Sequence, residues 1–204
     1  MAAKIKICGI TRETEAEMLN ALSADYAGFV LYEKSKRYIP MDKAASCKKR
    51  LAPRVRSVAV TVSPSEDMLH RIEEAGFDII QIHGRIPYDI LTGISKPVWM
   101  AYQVGIQNEI NIPKLPENVT GILLDAAVYG SGRTFSWKDF PIEELERWQI
   151  RQLILAGGLN AENVRQGIAL FHPQIVDVSS SVEGSSGKDF DKIKEFIRKV
   201  REDE

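Results

Sequence analysis

Along 204 residues the chain alternates between short runs of apolar, often β-branched residues and longer segments of helical period. The strand-like runs are Ile5–Cys8, Ala27–Leu31, Val58–Val62, Ile79–Ile82, Val98–Tyr102, Gly121–Leu124, Leu153–Ala156 and Ile175–Val178. Several are apolar throughout, the pattern of parallel strands covered on both faces. Helical period occupies Glu13–Ala24, Asp42–Ala52, Ser65–Ala75, Tyr88–Ile94, Ile142–Trp148, Ala161–Leu170 and Phe190–Arg201. Two helix starts are marked: Ser63-Pro64-Ser65-Glu66 puts proline and acid in a first turn, and Asn160 precedes Ala161-Glu162.

The stretch Gln103–Asn118 breaks the rhythm, because Gly105, Pro113 and Pro116 interrupt any period. The helix after strand five is therefore expected to be short or missing. Eight strands and seven helices predict one domain over residues 1–204, a (β/α)8 TIM barrel of the α/β class. A doubly wound sheet could use the same alternation, but eight strands in this length favour closure. No Gly-x-Gly-x-x-Gly follows the first strand, which removes the dinucleotide signature.

Charge excludes several partners. The 27 basic and 28 acidic residues nearly cancel and form no block of one sign, so no nucleic-acid surface is expected. No apolar run approaches the ~18 residues that span a bilayer, and no membrane partner is expected. The chain enters its first strand without a leader, and Cys8 and Cys47 lie too far apart in sequence to form a framework. A cytoplasmic protein with free thiols is the expectation. No His/Cys/Asp cluster has metal-ligand spacing, so neither metal nor cofactor is expected.

In such barrels the strand C-termini and the loops after them build the active site. The residues there are Cys8-Gly9, Ser35 and Arg37, then Gln81-Ile82-His83-Gly84, Asp125, Gly157-Gly158, and Asp177 with Ser179-Ser180-Ser181. A thiol after strand one and a carboxylic acid after strand six face each other across the mouth, a pairing suited to moving a proton on and off carbon. Gly157, Gly158, Ser179, Ser180 and Ser181 occupy the loops where these barrels often hold a phosphate, through backbone N–H groups and helix N-termini. Two tight turns needing positive φ are the plainer alternative.

Lys6-Ile7-Cys8-Gly9-Ile10-Thr11, Gly28-Phe29-Val30 with Ser35-Lys36-Arg37, Gln81-Ile82-His83-Gly84 and Leu123-Leu124-Asp125 form an ordered set. It continues with Gly130–Trp137, Leu155–Leu159, Val176–Ser180, Val182-Glu183 and Gly187-Lys188-Asp189. Together these resemble the phosphoribosylanthranilate isomerases. The resemblance implies a phosphorylated small-molecule substrate and an Amadori rearrangement of tryptophan biosynthesis, with Asp125 as general acid and Cys8, as thiolate, the general base. It also implies Arg37 as partner of the anthranilate carboxylate, through a charge-assisted fork; a solvated loop charge is the alternative. His83 resembles a site-lining residue, with a satisfied strand-end histidine as its alternative.

An ordinary cysteine titrates near ~8.5 and an aspartic acid near ~3.9, the wrong way round for these roles. Burial and mutual repulsion are expected to raise the acid, and nearby N–H donors to lower the thiol. Four positions depart from the family pattern: Ser181 and Tyr129 replace glycine, Lys36 replaces proline and Thr61 replaces phenylalanine. Ser181 is expected to obstruct the phosphate loop with its Cβ, and Lys36 to leave its loop less rigid. Two other functions compete: another sugar-phosphate barrel, and a barrel that binds a phosphorylated ligand without turnover. The sequence leaves monomer or homodimer open.

Overall fold

The β-branched runs become eight strands that pair in chain order and close on themselves, β8 lying beside β1. They are β1 (Lys4–Cys8), β2 (Tyr26–Val30), β3 (Arg56–Val62), β4 (Ile79–His83), β5 (Val98–Val104), β6 (Val119–Ala126), β7 (Leu153–Leu155) and β8 (Ile175–Val178). The computed structural model describes residues 3–104, 115–126, 137, 140, 142, 145 and 150–202. Among these, the helices are α1 (Glu13–Leu22), α2 (Met41–Lys49), α3 (Glu66–Glu74), α4 (Tyr88–Gly93), α5 (Val164–Phe171) and α6 (Phe190–Arg201). All neighbouring barrel strands are parallel, as the uninterrupted apolar runs predict.

Caps set several boundaries. Ser65 accepts from the Met68 amide at the start of α3, and Asp189 accepts from the Lys192 amide at the start of α6. α1 stops two residues before Ala24 because Ser23 turns into the left-handed region at φ 57°. The structure carries β5 to Val104 and β6 through Asp125 to Ala126, so the acid lies within β6 rather than after it. Leu115–Asn118 carry no helix, and the rest of the expected short helix lies outside the described residues. So does the helix expected over Ile142–Trp148, apart from Ile142 and Leu145.

Strand residues divide between two cores. Ile5, Ile7, Phe29, Ala59, Ile80 and Ile82 face the helices, whereas Tyr26, Val58, Val60, Ile79, Leu123 and Ile154 fill the barrel. Trp99 is the largest of the interior side chains and meets Tyr26 edge to face, with ring centroids 5.1 Å apart. Gly121, its register partner, makes that possible: a Cβ there would lie 2.7 Å from the indole and 2.8 Å from Ile154. The barrel is therefore plugged at mid-height, and its chemistry is confined to the strand ends.

Beyond β8 the chain forms a 3₁₀ turn, Ser180–Val182, and a hairpin of β9 (Glu183–Gly184) and β10 (Gly187–Lys188). Glu15 fastens this hairpin to the start of α1. Its carboxylate accepts from the Thr11, Arg12 and Lys188 amides and from the Arg12 guanidinium. Burial opposes its charge, but these donors win and hold its pKa below the usual range.

Candidate active site

Inward-facing residues alternate along each strand, and the last of them line the mouth. Strand parity turns Lys6 and Cys8 inward on β1, Gln81 and His83 on β4, Leu123 and Asp125 on β6, and Ile175 and Asp177 on β8. Cys8 and the half-buried Asp125 therefore project into the same end of the barrel from β1 and β6. Gly28 stands beside Cys8 in register; a Cβ there would come within 2.9 Å of Sγ and 3.2 Å of Lys6 Cε. Only a glycine leaves the thiol and the lysine stem their places.

Three buried charges surround the thiol. Lys6 is fully buried and donates from Nζ to Asp177 Oδ2 at 2.7 Å across the β1–β8 register. Asp177 Oδ1 is buried and has no hydrogen-bond partner among the described residues. Lys188, on β10, donates to the Ser179 carbonyl at 2.9 Å and to Glu183 Oε1 at 3.0 Å. Burial works against the Lys6 ammonium, yet Asp177 and Cys8 outweigh it and raise its pKa. Burial raises Asp177, and Lys6, Lys188 and Arg37 restrain that rise.

The thiol departs from expectation. Burial raises the Cys8 pKa, and Asp177 adds to it, while Lys6 and Lys188 pull it down without prevailing. The lowering expected of neighbouring donors is thus present but smaller than the cost of burying a thiolate.

Arg37 is not a solvated loop charge. It is mostly buried, and its Nε and Nη2 donate to Oε1 and Oε2 of Glu183 at 2.5 and 3.1 Å. Burial opposes the Glu183 charge, but Arg37 and Lys188 lower its pKa. Gly9, at φ 87°, brings the β1 loop so close that a Cβ would sit 2.5 Å from Arg37 Cδ. The Arg37 turn is also fixed without a proline at Lys36: Ser35 Oγ accepts from the Arg37 amide, and the Ser35 carbonyl accepts from Tyr38. Thr61 faces the helix layer and donates to the Gln81 carbonyl at 3.2 Å, away from the mouth.

His83 is buried, and its Nε2 shares a hydrogen bond of 2.8 Å with the Gln81 side-chain amide. Burial and then Lys6 push its pKa down to about 4, keeping the ring neutral.

The loops after β7 and β8 approach one another. Gly157 and Gly158 take φ 80° and 70°, as the tight turn requires. Asn160 accepts from the Glu162 and Asn163 amides, and Asn163 donates to the Gly158 carbonyl, organising the entry to α5. Ser179 donates to the Cys8 carbonyl at 2.9 Å, and Ser180 opens the 3₁₀ turn. Ser181 lies within that turn and is not among the positive-φ residues; its hydroxyl donates to the Leu159 carbonyl at 2.6 Å. Ser181 therefore sits in its turn without the strain of a left-handed conformation. A groove of about 480 Å³ flanks these loops, but Glu162, Asp191 and Glu195 outnumber Lys192 on its walls, which disfavours a phosphate there.

Among the described residues no group of three or more His, Cys, Asp or Glu is placed to hold a metal ion. None of the described helices is long and apolar enough to cross a membrane. Sequence reasoning passed over Lys6, Glu183 and Lys188 as charges of the site. The signal for Lys6 was its place two residues before Cys8 on the same face of an otherwise apolar strand.

A closed parallel barrel with titratable groups at its strand ends and paired loops after β7 and β8 defines a barrel enzyme of the phosphate-binding type. The model of N-(5'-phosphoribosyl)anthranilate isomerases matches residues 5–199. An N-(5'-phosphoribosyl)anthranilate isomerase of Streptococcus gordonii is 41% identical over 202 residues, 98% of each chain. The solved isomerase of Thermotoga maritima superposes with a TM-score of 0.84 at 34% identity, covering 98% of this chain and 99% of that one. Another solved isomerase, in complex with reduced 1-(o-carboxyphenylamino)-1-deoxyribulose 5-phosphate, gives a TM-score of 0.79 at 33% identity over 98% and 99% of the chains. The chain belongs to the N-(5'-phosphoribosyl)anthranilate isomerase family, enzymes of tryptophan biosynthesis.

Proposed function

We propose that residues 1–204 act as one catalytic domain and isomerise N-(5'-phosphoribosyl)anthranilate with Asp125 as acid and Cys8 as base. The observation that carries this reading is strand parity, which turns both side chains into the same mouth, beside the loops after β7 and β8. Asp125 gives its proton to the ring oxygen as the furanose opens to a protonated imine. Cys8, as thiolate, then removes the proton from C2 to give the enolamine, which tautomerises to the aminoketone. Each turnover leaves one proton too many on Cys8 and one too few on Asp125, so the two reset as a pair.

The remaining site residues bind. Arg37, whose Nη1 makes no hydrogen bond among the described residues, receives the anthranilate carboxylate. The backbone of Gly157, Gly158, Ser179, Ser180 and Ser181 cradles the phosphate, and Lys188 adds positive charge behind Ser179. Neutral His83 lines the wall below Asp125 and offers hydrogen bonds without a charge. A chain of nearly balanced charge with a metabolic family supports a cytoplasmic location.

The test is consumption of phosphoribosylanthranilate by the purified protein, followed by loss of its fluorescence. Turnover that survives Cys8→Ser within a few-fold would remove Cys8 from the mechanism. Product binding without turnover in the parent protein would favour a binding barrel instead.

A further inference from the structure

A lysine with no solvent exposure in a barrel interior calls for an account, because burying an ion pair costs more than filling the same space with apolar residues. Lys6 and Asp177 are register partners on β1 and β8, joined at 2.7 Å, one inward position deeper than Cys8. Gly28 brings Cys8 and Lys6 together: its missing side chain is the space that Cys8 Sγ and Lys6 Cε share.

We infer that Lys6 and Asp177 are a positioning pair for Cys8: Asp177 fixes the Lys6 ammonium beside the thiol, and that ammonium stabilises the thiolate that burial disfavours. The inference rests on Cys8 being the base and adds what sets its charge.

The other charged groups around the thiol do not substitute for Lys6. Lys188 faces Cys8 from β10 and favours the thiolate, but Glu183 holds it at 3.0 Å. Arg37, in the loop after β2, spends its fork on the same Glu183 and reaches Asp177 only at longer range. His83 on β4 is neutral, and Asp125 on β6 is an acid. Lys6 is thus the nearby cation whose ion-pair partner among the described residues, Asp177, is itself part of the thiol's surroundings.

The pair makes an asymmetric prediction that structural damage does not imitate. Removing Lys6 leaves Asp177 and Cys8 as two acids without their cation, so the thiolate becomes harder to form. Removing the Asp177 charge leaves the Lys6 ammonium with Cys8 as its neighbouring anion, so the thiolate becomes easier to form.

The experiment is the pH dependence of Cys8 alkylation by iodoacetamide, measured on the intact protein by peptide mass so that Cys47 is read separately. Lys6→Met should raise the midpoint by about one pH unit, roughly a tenfold slower reaction at any pH below it. Asp177→Asn should lower the midpoint by a similar amount, and Lys6→Arg, which keeps the cation, should stay near the parent. An unchanged midpoint in folded Asp177→Asn, or displacement of both variants in one direction, would overturn the inference. If circular dichroism shows Lys6→Met unfolded, Asp177→Asn and Lys6→Arg decide alone. Turnover retained by Cys8→Ser would refute the base assignment separately, since alkylation reads the thiol whether or not it is the base.

Discussion

Arg37 and Glu183, 146 residues apart in sequence, meet through two parallel hydrogen bonds that tie the loop after β2 to the hairpin after β8. Glu183 also holds Lys188, whose ammonium rests on the Ser179 carbonyl. One carboxylate thus connects the proposed anthranilate end of the site to the proposed phosphate end. It also leaves the guanidinium oriented before any substrate arrives, which reduces the ordering cost of binding.

Replacing Arg37 should therefore act on binding. In Arg37→Ala the KM for phosphoribosylanthranilate should rise about 30-fold, the equivalent of ~2 kcal/mol for a charge-assisted pair, with kcat changed far less. Steady-state kinetics together with the affinity for a carboxylate-bearing product analogue check it. Unchanged affinity would mean that Arg37 serves only to hold Glu183.

Cys8→Ser should lower kcat by at least about 100-fold, the low end for loss of a general base, while the fold stays intact. Cys47, buried among apolar residues of α2, should tolerate serine with turnover unchanged. The pH profile carries a further expectation. The Cys8 pKa is raised by burial, and turnover needs a protonated Asp125 beside a deprotonated Cys8, so kcat/KM should trace a bell in pH whose Cys8 limb lies above the ordinary thiol range. A profile with no limb above the ordinary thiol range would contradict that direction.

Asp125→Asn keeps the shape of the side chain and removes the transferable proton. Ring opening should fail while affinity for a product analogue largely survives. Calorimetric titration beside the turnover assay separates the outcomes; a proportional loss of both would make Asp125 a positioning group.

How far these residues could be read in advance depended on the kind of signal each carried. The strands announced themselves through local composition, and strand-end logic then located Cys8, Asp125 and the two phosphate-type loops without any contact information. The pairs Lys6–Asp177 and Arg37–Glu183 span 171 and 146 residues, and such distances leave no periodicity to read. The direction of the Cys8 shift was misjudged for a related reason: donors beside it were foreseeable, but the degree of burial depends on how tightly Gly28 lets β1 and β2 close around it. The backbone at Ser181 was equally hidden, because a 3₁₀ turn without positive φ depends on how the loop after β8 meets Leu159.

His83 should make the protein sensitive to acid. Its pKa falls from 6.5 to about 4 on folding, so the unfolded chain binds the proton more readily. The stability contributed by keeping the ring neutral is full above pH 6.5 and is lost as pH falls toward 4. At pH 5 the loss from this residue should be about 2 kcal/mol. Urea titrations of the parent and His83→Gln at pH 7.5 and pH 5 measure it. Equal acid sensitivity in both proteins would place the effect in other groups.

Ser181→Gly probes the junction of the two phosphate-type loops. The Ser181 hydroxyl donates to the Leu159 carbonyl at 2.6 Å, across from one loop to the other, and the residue sits in a 3₁₀ turn without positive φ. Glycine would relieve no strain there. It would delete the hydrogen bond and enlarge the conformational freedom of the unfolded chain, together about 1 kcal/mol or somewhat more of lost stability. Loops no longer joined at this point should also present their backbone N–H groups less consistently to an anion. The expected result is a lower urea midpoint and weaker binding of inorganic phosphate or a phosphorylated product analogue by calorimetry. Tighter binding by the glycine variant would mean that the serine Cβ does crowd the anion, and that the tie to Leu159 costs affinity instead of supplying it.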